Sequence, residues 1–254
     1  GRATRNVLQA MSDAYVAVFA AVMIGAMVVN VILKAQRTVA ECTSPTCLSA
    51  RALLPWTAFA ATIAVALAVS RLFGPVLASA AEGFWLLDAP ISRSQLLRSR
   101  LVGAIAAAFL GGAVIGGLIA ALSGSGLNEV LVWAGATALS AAASVAFAAA
   151  QQGIERHRLT RLATYLFGVL GVGALFSVVG VAAGWFSLGI SDNLGIELGL
   201  IMIAASVLVL VISAVLAGLL LGQIRRTRLL SGGALVSGIS GAFYALDIGL
   251  ARDI

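Results

Sequence analysis

Residues 101–154 read LVGAIAAAFLGGAVIGGLIAAL, then SGSGLNE, then VLVWAGATALSAAASVAFAAAQQGI. The two apolar runs are each long enough for a helix that crosses the hydrocarbon core, which takes roughly 20 residues. Glu129 is the only charged residue in the whole stretch. Glycine and serine in the short central segment are typical of turns. The pattern therefore predicts two antiparallel membrane-spanning helices joined by a tight loop at 123–129.

Similar charge-free runs occupy most of the chain. Of the 254 residues, 61% are hydrophobic and 10% are charged, whereas soluble domains carry about 25% charged residues. A charged residue at the centre of a span costs about 2.5–3.5 kcal/mol on insertion scales, so long runs without charge seldom arise by chance. We predict an all-α integral membrane protein. Residues 1–228 are expected to form a bundle of six transmembrane helices, with spans at about 14–33, 52–70, 101–122, 130–150, 162–184 and 198–221.

The C-terminal segment 229–254 differs from these spans. Its charge-free part, 229–246, contains four glycines and three serines, which disfavour a helix. We expect an interfacial or linker segment here, one that could lead to a second half of the protein. A seventh span is the alternative.

The basic residues predict the orientation. With six spans and the N-terminus inside, the inner segments carry thirteen Arg residues and the outer segments carry only Lys34, Arg37 and Arg51. Excess basic charge marks cytoplasmic loops, so both termini are expected in the cytoplasm. Because the basic residues form short clusters and no broad stripe, nucleic acid is not expected as a partner. The Arg and Ala richness is typical of a bacterial genome of high GC content, so we expect a multi-pass protein of the bacterial plasma membrane.

A segment of about 30 residues separates the second and third predicted spans, and its residues 79–93 read SAAEGFWLLDAPISR. Pro75 can begin a short helix, and Pro90 should end it. Ser92 with Gln95 fits a capping box at the start of a second helix that continues through Arg98 and Arg100 into the third span. The short first helix would either rest on anionic lipid headgroups or dock on a cytosolic partner.

This stretch and the six-span topology resemble the permease subunits of ABC-type exporters of the type-2 class, especially large actinobacterial permeases with two six-helix halves. The resemblance is sharpest over Gly74 to Leu101, and elsewhere only the topology matches. It implies a short cytoplasmic coupling helix that contacts a separate cytosolic ATP-binding subunit, with a second permease half or copy as a further partner. The docking residues that it implies are Glu82, Gly83, Phe84, Trp85, Leu86, Pro90 and Arg93.

No catalytic machinery is recognisable in the chain. The phosphate-binding pattern G-x-x-x-x-G-K-[ST] is absent from the sequence, and the predicted spans carry no ionisable residue at depth of the kind that ion-coupled pumps use. We expect no enzyme activity, no cofactor and no metal. A hydrophobic or amphipathic cargo suits such uncharged spans, and a non-transporting scaffold or accessory subunit is the alternative. The G-x-S-G pattern around Ser240 is typical of rhomboid-type proteases, but the single histidine, His157, is expected in a cytoplasmic loop, so small-residue packing is the favoured interpretation.

The two cysteines of the chain lie in CTSPTC, residues 42–47. In an outer loop, Cys42 and Cys47 are predicted to form a disulfide that closes a small turn at Pro45. Two free thiols are the alternative, and a metal site is disfavoured because no histidine lies nearby. Gly-x-x-x-Gly patterns at 112–116 and 180–184 predict close approach between helices.

Overall fold

A computed structural model describes residues 44–73, 93–154, 157–185 and 192–220, together with 29–34 and Phe19, Met23, Ala26, Met27 and Arg37. The regular secondary structure of these residues is entirely α-helical. Its five long helices are α1 (Pro45–Phe73), α2 (Arg93–Leu122), α3 (Leu127–Ile154), α4 (His157–Ala182) and α5 (Asp192–Leu220).

These five helices correspond to the second to sixth predicted spans, and each is long and apolar enough to cross a bilayer. The described residues between 19 and 37 are helical as well, in or just after the first predicted span. The chain is a multi-pass membrane protein. Its helices extend beyond the predicted spans: α1 begins at Pro45 rather than at residue 52, and α4 begins at His157, which was expected in a loop.

The predicted tight loop between the third and fourth spans is confirmed. Gly124 has a φ of 75°, and its N–H donates to the carbonyl of Ala121 at 3.1 Å while Ser125 N–H donates to Ala120 at 3.1 Å. This pair of bonds is a Schellman motif, which favours glycine because other residues are strained at positive φ. Gly184 ends α4 in the same way, with a φ of 74°.

The N-terminus of α1 is capped by Ser44. The Ser44 hydroxyl accepts a hydrogen bond from the Cys47 N–H at 3.3 Å, and Pro45 occupies the first helical position, where its missing N–H costs nothing. The turn predicted at Pro45 is therefore the first turn of a long helix.

Helix α3 is the centre of the bundle. It contacts each of the other four long helices, and 61% of its most apolar window is buried, against 39% or less in the others. Helix α1 packs against both α3 and α4, whereas α4 and α5 make little contact with each other. The four neighbours therefore surround α3 incompletely.

Close approach through small residues is confirmed for α2. A Cβ added to Gly116 would overlap Thr137 Oγ1 on α3, and one added to Gly112 would lie 2.6 Å from the Thr137 carbonyl oxygen. The absence of side chains at these two positions lets α2 lie directly on the α3 backbone. In the second pattern, Gly184 has open space around it and serves the turn after α4.

Aromatic side chains fix α1 against α3. The rings of Trp56 and Trp133 meet edge to face with centroids 4.8 Å apart, and Phe59 lies 6.5 Å from Trp133 in a similar orientation. Nearby, the Arg51 guanidinium donates a hydrogen bond to the Gly124 carbonyl. The start of α1 thus lies beside the α2–α3 turn, and we call this end of the bundle the turn end.

Candidate functional site

A cleft of about 310 Å³ lies between α1, α3, α4 and α5. Its walls are mainly aromatic and aliphatic, with Phe59 and Leu67 of α1 on one side and Phe167 of α4 on another. The polar groups among its described lining residues are the hydroxyls of Ser140, Ser144 and Ser206. The cleft therefore offers apolar surface with a few uncharged hydrogen-bonding groups.

The cleft runs from the middle of the bundle towards the end opposite the turn end. Ser140 and Ser206 are at the midpoints of α3 and α5, whereas Leu67, Phe147 and Ala163 lie nearer the C-terminus of α1 and α3 and the N-terminus of α4. At the midpoint of a spanning helix the surroundings are hydrocarbon. The cleft thus extends from the middle of the long helices towards the end opposite the turn end.

Two of the serine hydroxyls have their protons engaged within α3. Ser144 Oγ donates to the Ser140 carbonyl at 2.7 Å, and Ser140 Oγ donates to the Thr137 carbonyl at 3.0 Å. Such bonds satisfy the hydroxyl in an apolar setting. The oxygen lone pairs remain as weak acceptors towards the cleft.

Among the described helices, the cleft opens sideways where α4 and α5 make little contact. Ala205 and Val209 of α5 line it and are themselves exposed on the bundle surface. Because α4 and α5 make little contact, the interior of the cleft is continuous with the apolar surface that faces the bilayer.

The charged side chains of the described bundle lie within the first eight or the last three residues of their helices. The turn end carries Arg51, Glu129 and Glu197. The opposite end, which we call the basic end, carries cations alone among its described side chains: Arg71, Arg98, Arg100, Arg158 and Arg161.

Two amide oxygens at the basic end of α3 are buried without a hydrogen-bond partner in the described part of the chain. They are Gln151 Oε1 and Gln152 Oε1. Gln151 is only 9% exposed. A buried acceptor left unpaired costs about 1–3 kcal/mol, so a donor in addition to those of the described residues would stabilise this position.

Most of the predicted docking residues lie outside the described residues. This holds for Glu82, Gly83, Phe84, Trp85, Leu86 and Pro90, and Arg93 is described as the first residue of α2. The expected helix through Arg98 and Arg100 into the third span is confirmed, since α2 is continuous from Arg93 to Leu122. The short coupling helix remains a prediction.

Cys47 is disulfide-bonded in the first turn of α1. Cys42 lies outside the described residues. The pairing of these two cysteines therefore stays a prediction.

The model of the DUF6297 family, a family of unknown function, matches residues 47–254 of the chain. The chain belongs to the DUF6297 family. No curated protein and no solved structure matches the chain.

The region shared with the DUF6297 family begins in the first turn of α1 and includes all five long helices. The cleft, both ends of the bundle and the segment from Gly74 to Leu101 all fall within it. These features are thus parts of the family domain, and the first predicted span precedes the matched range.

A repeating pattern of residues on α3 indicates the cleft. Ser140, Ser144, Phe147 and Gln151 recur at spacings of four, three and four residues, which places them on one stripe of a helix. Polar residues recurring on one stripe of an otherwise apolar span indicate a face that is covered by protein or lines a cavity.

Proposed function

We propose that this chain is the membrane-spanning permease subunit of an ATP-driven exporter for a hydrophobic or amphipathic cargo, with ATP hydrolysis on a separate cytosolic subunit. The observation that carries the proposal is the uncharged cleft between α1, α3, α4 and α5, which opens towards the bilayer. The stretch between Gly74 and Leu101 resembles type-2 exporter permeases, and this resemblance implies that ATP hydrolysis by a partner subunit drives transport.

The chemistry of the cleft favours an apolar cargo. Burial of apolar surface contributes about 25 cal/mol per Å² relative to water, and the aromatic wall at Phe59, Phe147 and Phe167 offers such surface. A small hydrophilic ion would lose its hydration there without a compensating charge. A lateral opening gives lipid-soluble molecules direct access.

Helix α2 provides a mechanical link between a partner and the cleft. It runs without interruption from Arg93 to Leu122, and Gly112 and Gly116 bring its backbone against α3. A displacement of the N-terminus of α2 by a docked ATP-binding subunit would press on α3, which lines the cleft. The Gly74–Arg100 element would thus couple ATP binding to movement of the helices around the cargo, rocking the bundle between inward- and outward-open states.

The proposal includes a six-span arrangement with both termini in the cytoplasm of a bacterium and the bundle in its plasma membrane. The basic end supports this orientation, because arginines near helix ends favour the cytoplasmic side. A second permease half or a second copy of the chain would complete the transport pathway.

The test is a double change in the predicted coupling segment, Glu82→Ala with Trp85→Ala. We expect the affinity-tagged variant to insert in the membrane normally and to lose its stoichiometric ATP-binding subunit on purification. Trp185→Ala is the matched control, since Trp185 is an exposed tryptophan at the turn end. If the double variant still associates with the ATP-binding subunit, the segment is only an interfacial helix.

A non-transporting scaffold is the second candidate, and the surface of α4 favours it. Only 11% of the most apolar window of α4 is buried, and an apolar groove runs along Gly168, Val172 and Phe176. Such a face suits packing against another membrane protein. Purification with a stoichiometric ATP-binding chain supports the permease, whereas purification with a different complex supports the scaffold.

A further inference from the structure

The cleft and the basic end meet at one place. Arg71 lies one turn beyond Leu67 on α1, and Gln151 lies one turn beyond Phe147 on α3. We propose that the cleft is a specific lipid site that takes an acyl chain of an anionic glycerophospholipid with a hydroxylated headgroup. The phosphate is bound by Arg71, and a headgroup hydroxyl donates to Gln151. The inference concerns binding by this chain alone and requires neither transport nor an ATP-binding partner.

The volume and lining of the cleft indicate that it binds the acyl chain of the lipid. A water-sized group occupies about 30 Å³. The cleft, with its volume of about 310 Å³, therefore holds a chain of roughly ten heavy atoms. Phe59 and Phe147 supply an apolar wall, and the lateral opening at Ala205 lets the chain enter while its headgroup stays at the membrane surface. A wholly enclosed cavity would not permit this arrangement.

The anionic character of the ligand follows from charge. Arg71 is exposed and has no hydrogen bond or ion pair to another described residue. The carboxylates among the described side chains, Glu129 and Glu197, lie at the turn end, at the opposite end of the helices from Arg71. A phosphate at Arg71 would form charge-assisted hydrogen bonds, which are stronger than neutral ones.

The unpaired acceptor of Gln151 indicates that the lipid headgroup carries a hydroxyl donor. Its Oε1 is buried and has no partner among the described residues, and the residue continues the stripe of Ser140, Ser144 and Phe147 that lines the cleft. An acceptor at this position selects a headgroup that can donate. A glycerol headgroup has hydroxyl donors, whereas a choline headgroup has none.

The tail portion is tested by blocking the opening. The purified chain is titrated with palmitoyl-oleoyl phosphatidylglycerol in detergent, and the bound lipid is counted by native mass spectrometry. We expect Ala205→Phe to abolish the tight binding of one lipid, because the new ring fills the mouth of the cleft. Ala204→Phe is the matched control: Ala204 is also exposed on α5 but does not line the cleft, and its change should leave binding intact.

The headgroup portion is tested by charge and by lipid class. We expect Arg71→Gln to weaken phosphatidylglycerol binding about tenfold, which corresponds to about 1.4 kcal/mol, and Arg71→Lys to retain most of it. Arg98→Gln removes the same charge from α2, which contributes no lining residue, and should change binding little. Phosphatidylcholine should bind the unchanged chain at least tenfold more weakly than phosphatidylglycerol, and Gln151→Leu should narrow that difference.

Two results would overturn the proposal. Equal binding by the Ala205→Phe and Ala204→Phe variants would show that the cleft is not the site. Equal effects of Arg71→Gln and Arg98→Gln would show that anionic lipid is attracted by the basic end in general. Because no ATP-binding chain is present in these titrations, neither result bears on the association experiment for the proposed permease.

Discussion

The guanidinium of Arg51, on α1, donates a hydrogen bond to the carbonyl oxygen of Gly124, in the turn between α2 and α3. The Arg51 side chain is half-buried, so its charge needs a partner to offset the loss of water. The Gly124 carbonyl follows the Schellman motif and is free to accept. A residue predicted to lie in an outer loop therefore joins three helices at the turn end.

Loss of this bond should destabilise the bundle. We expect Arg51→Met, which keeps the length of the side chain, to lower the free energy of unfolding by about 1.5–3 kcal/mol, the usual range for hydrogen bonds to charged groups. Thermal unfolding in detergent, followed by tryptophan fluorescence, measures the change because Trp56 and Trp133 lie nearby. Arg158→Met alters an exposed arginine at the basic end and should have little effect. A similar loss in both variants would contradict the assigned role of Arg51.

The close contact between α2 and α3 leads us to expect that a larger residue at Gly116 destabilises the bundle. Gly116→Ala places a methyl group against Thr137 Oγ1 and the Trp133 carbonyl oxygen, and overpacking of this kind costs about 1–3 kcal/mol. Gly111→Ala on the same helix adds the same group to open space and should leave stability unchanged or slightly raised. The midpoint of thermal unfolding distinguishes the two. If Gly116→Ala were neutral, α2 would not lie on α3 as described.

The orientation is testable by chemical labelling. In a background with both cysteines changed to serine, Asn128→Cys places a thiol at the turn end and Arg98→Cys places one at the basic end. We expect a membrane-impermeant maleimide to label Asn128→Cys in intact cells and Arg98→Cys only after the membrane is disrupted, because the basic end should face the cytoplasm. The opposite labelling pattern would show that the basic end faces the outside of the cell.

The predicted disulfide gives the fourth prediction. If Cys42 pairs with Cys47, an alkylating reagent should add nothing to the denatured protein without a reductant and should add two labels after reduction, since the chain has two cysteines. A Cys42→Ser variant provides the control and should take one label without a reductant. Labelling of the unreduced native sequence would favour free thiols.

The sequence predicted the number and order of the described helices well because the bilayer demands long apolar runs. The turn at Gly124 was also predictable, since glycine and serine at 123–126 have a direct stereochemical meaning. Helix ends were less well predicted. The second span was predicted to start at residue 52, yet α1 begins at Pro45, because backbone hydrogen bonding continues past the point where charged side chains leave the hydrocarbon.

The cleft itself was not predicted, because its wall is assembled from helices far apart in the chain. Phe59 and Ser206 meet around the same space although 146 residues intervene between them. Nothing in the local sequence around Phe59 distinguishes a cleft-lining aromatic from one that faces lipid. The central position of α3 was equally hidden, because an alanine-rich run suits either a lipid-facing helix or a tightly packed one.

The burial of α3 has a consequence for how the protein is made. Helix α3 contacts α5 through Gly135 and Ile203 and through Val132 and Gly199. Helix α5 is the last of the five long helices to leave the ribosome. Until then, Val132 and Gly135 of α3 lack the neighbours that α5 provides. Completion of the core around α3 thus waits for α5, which is made two helices later.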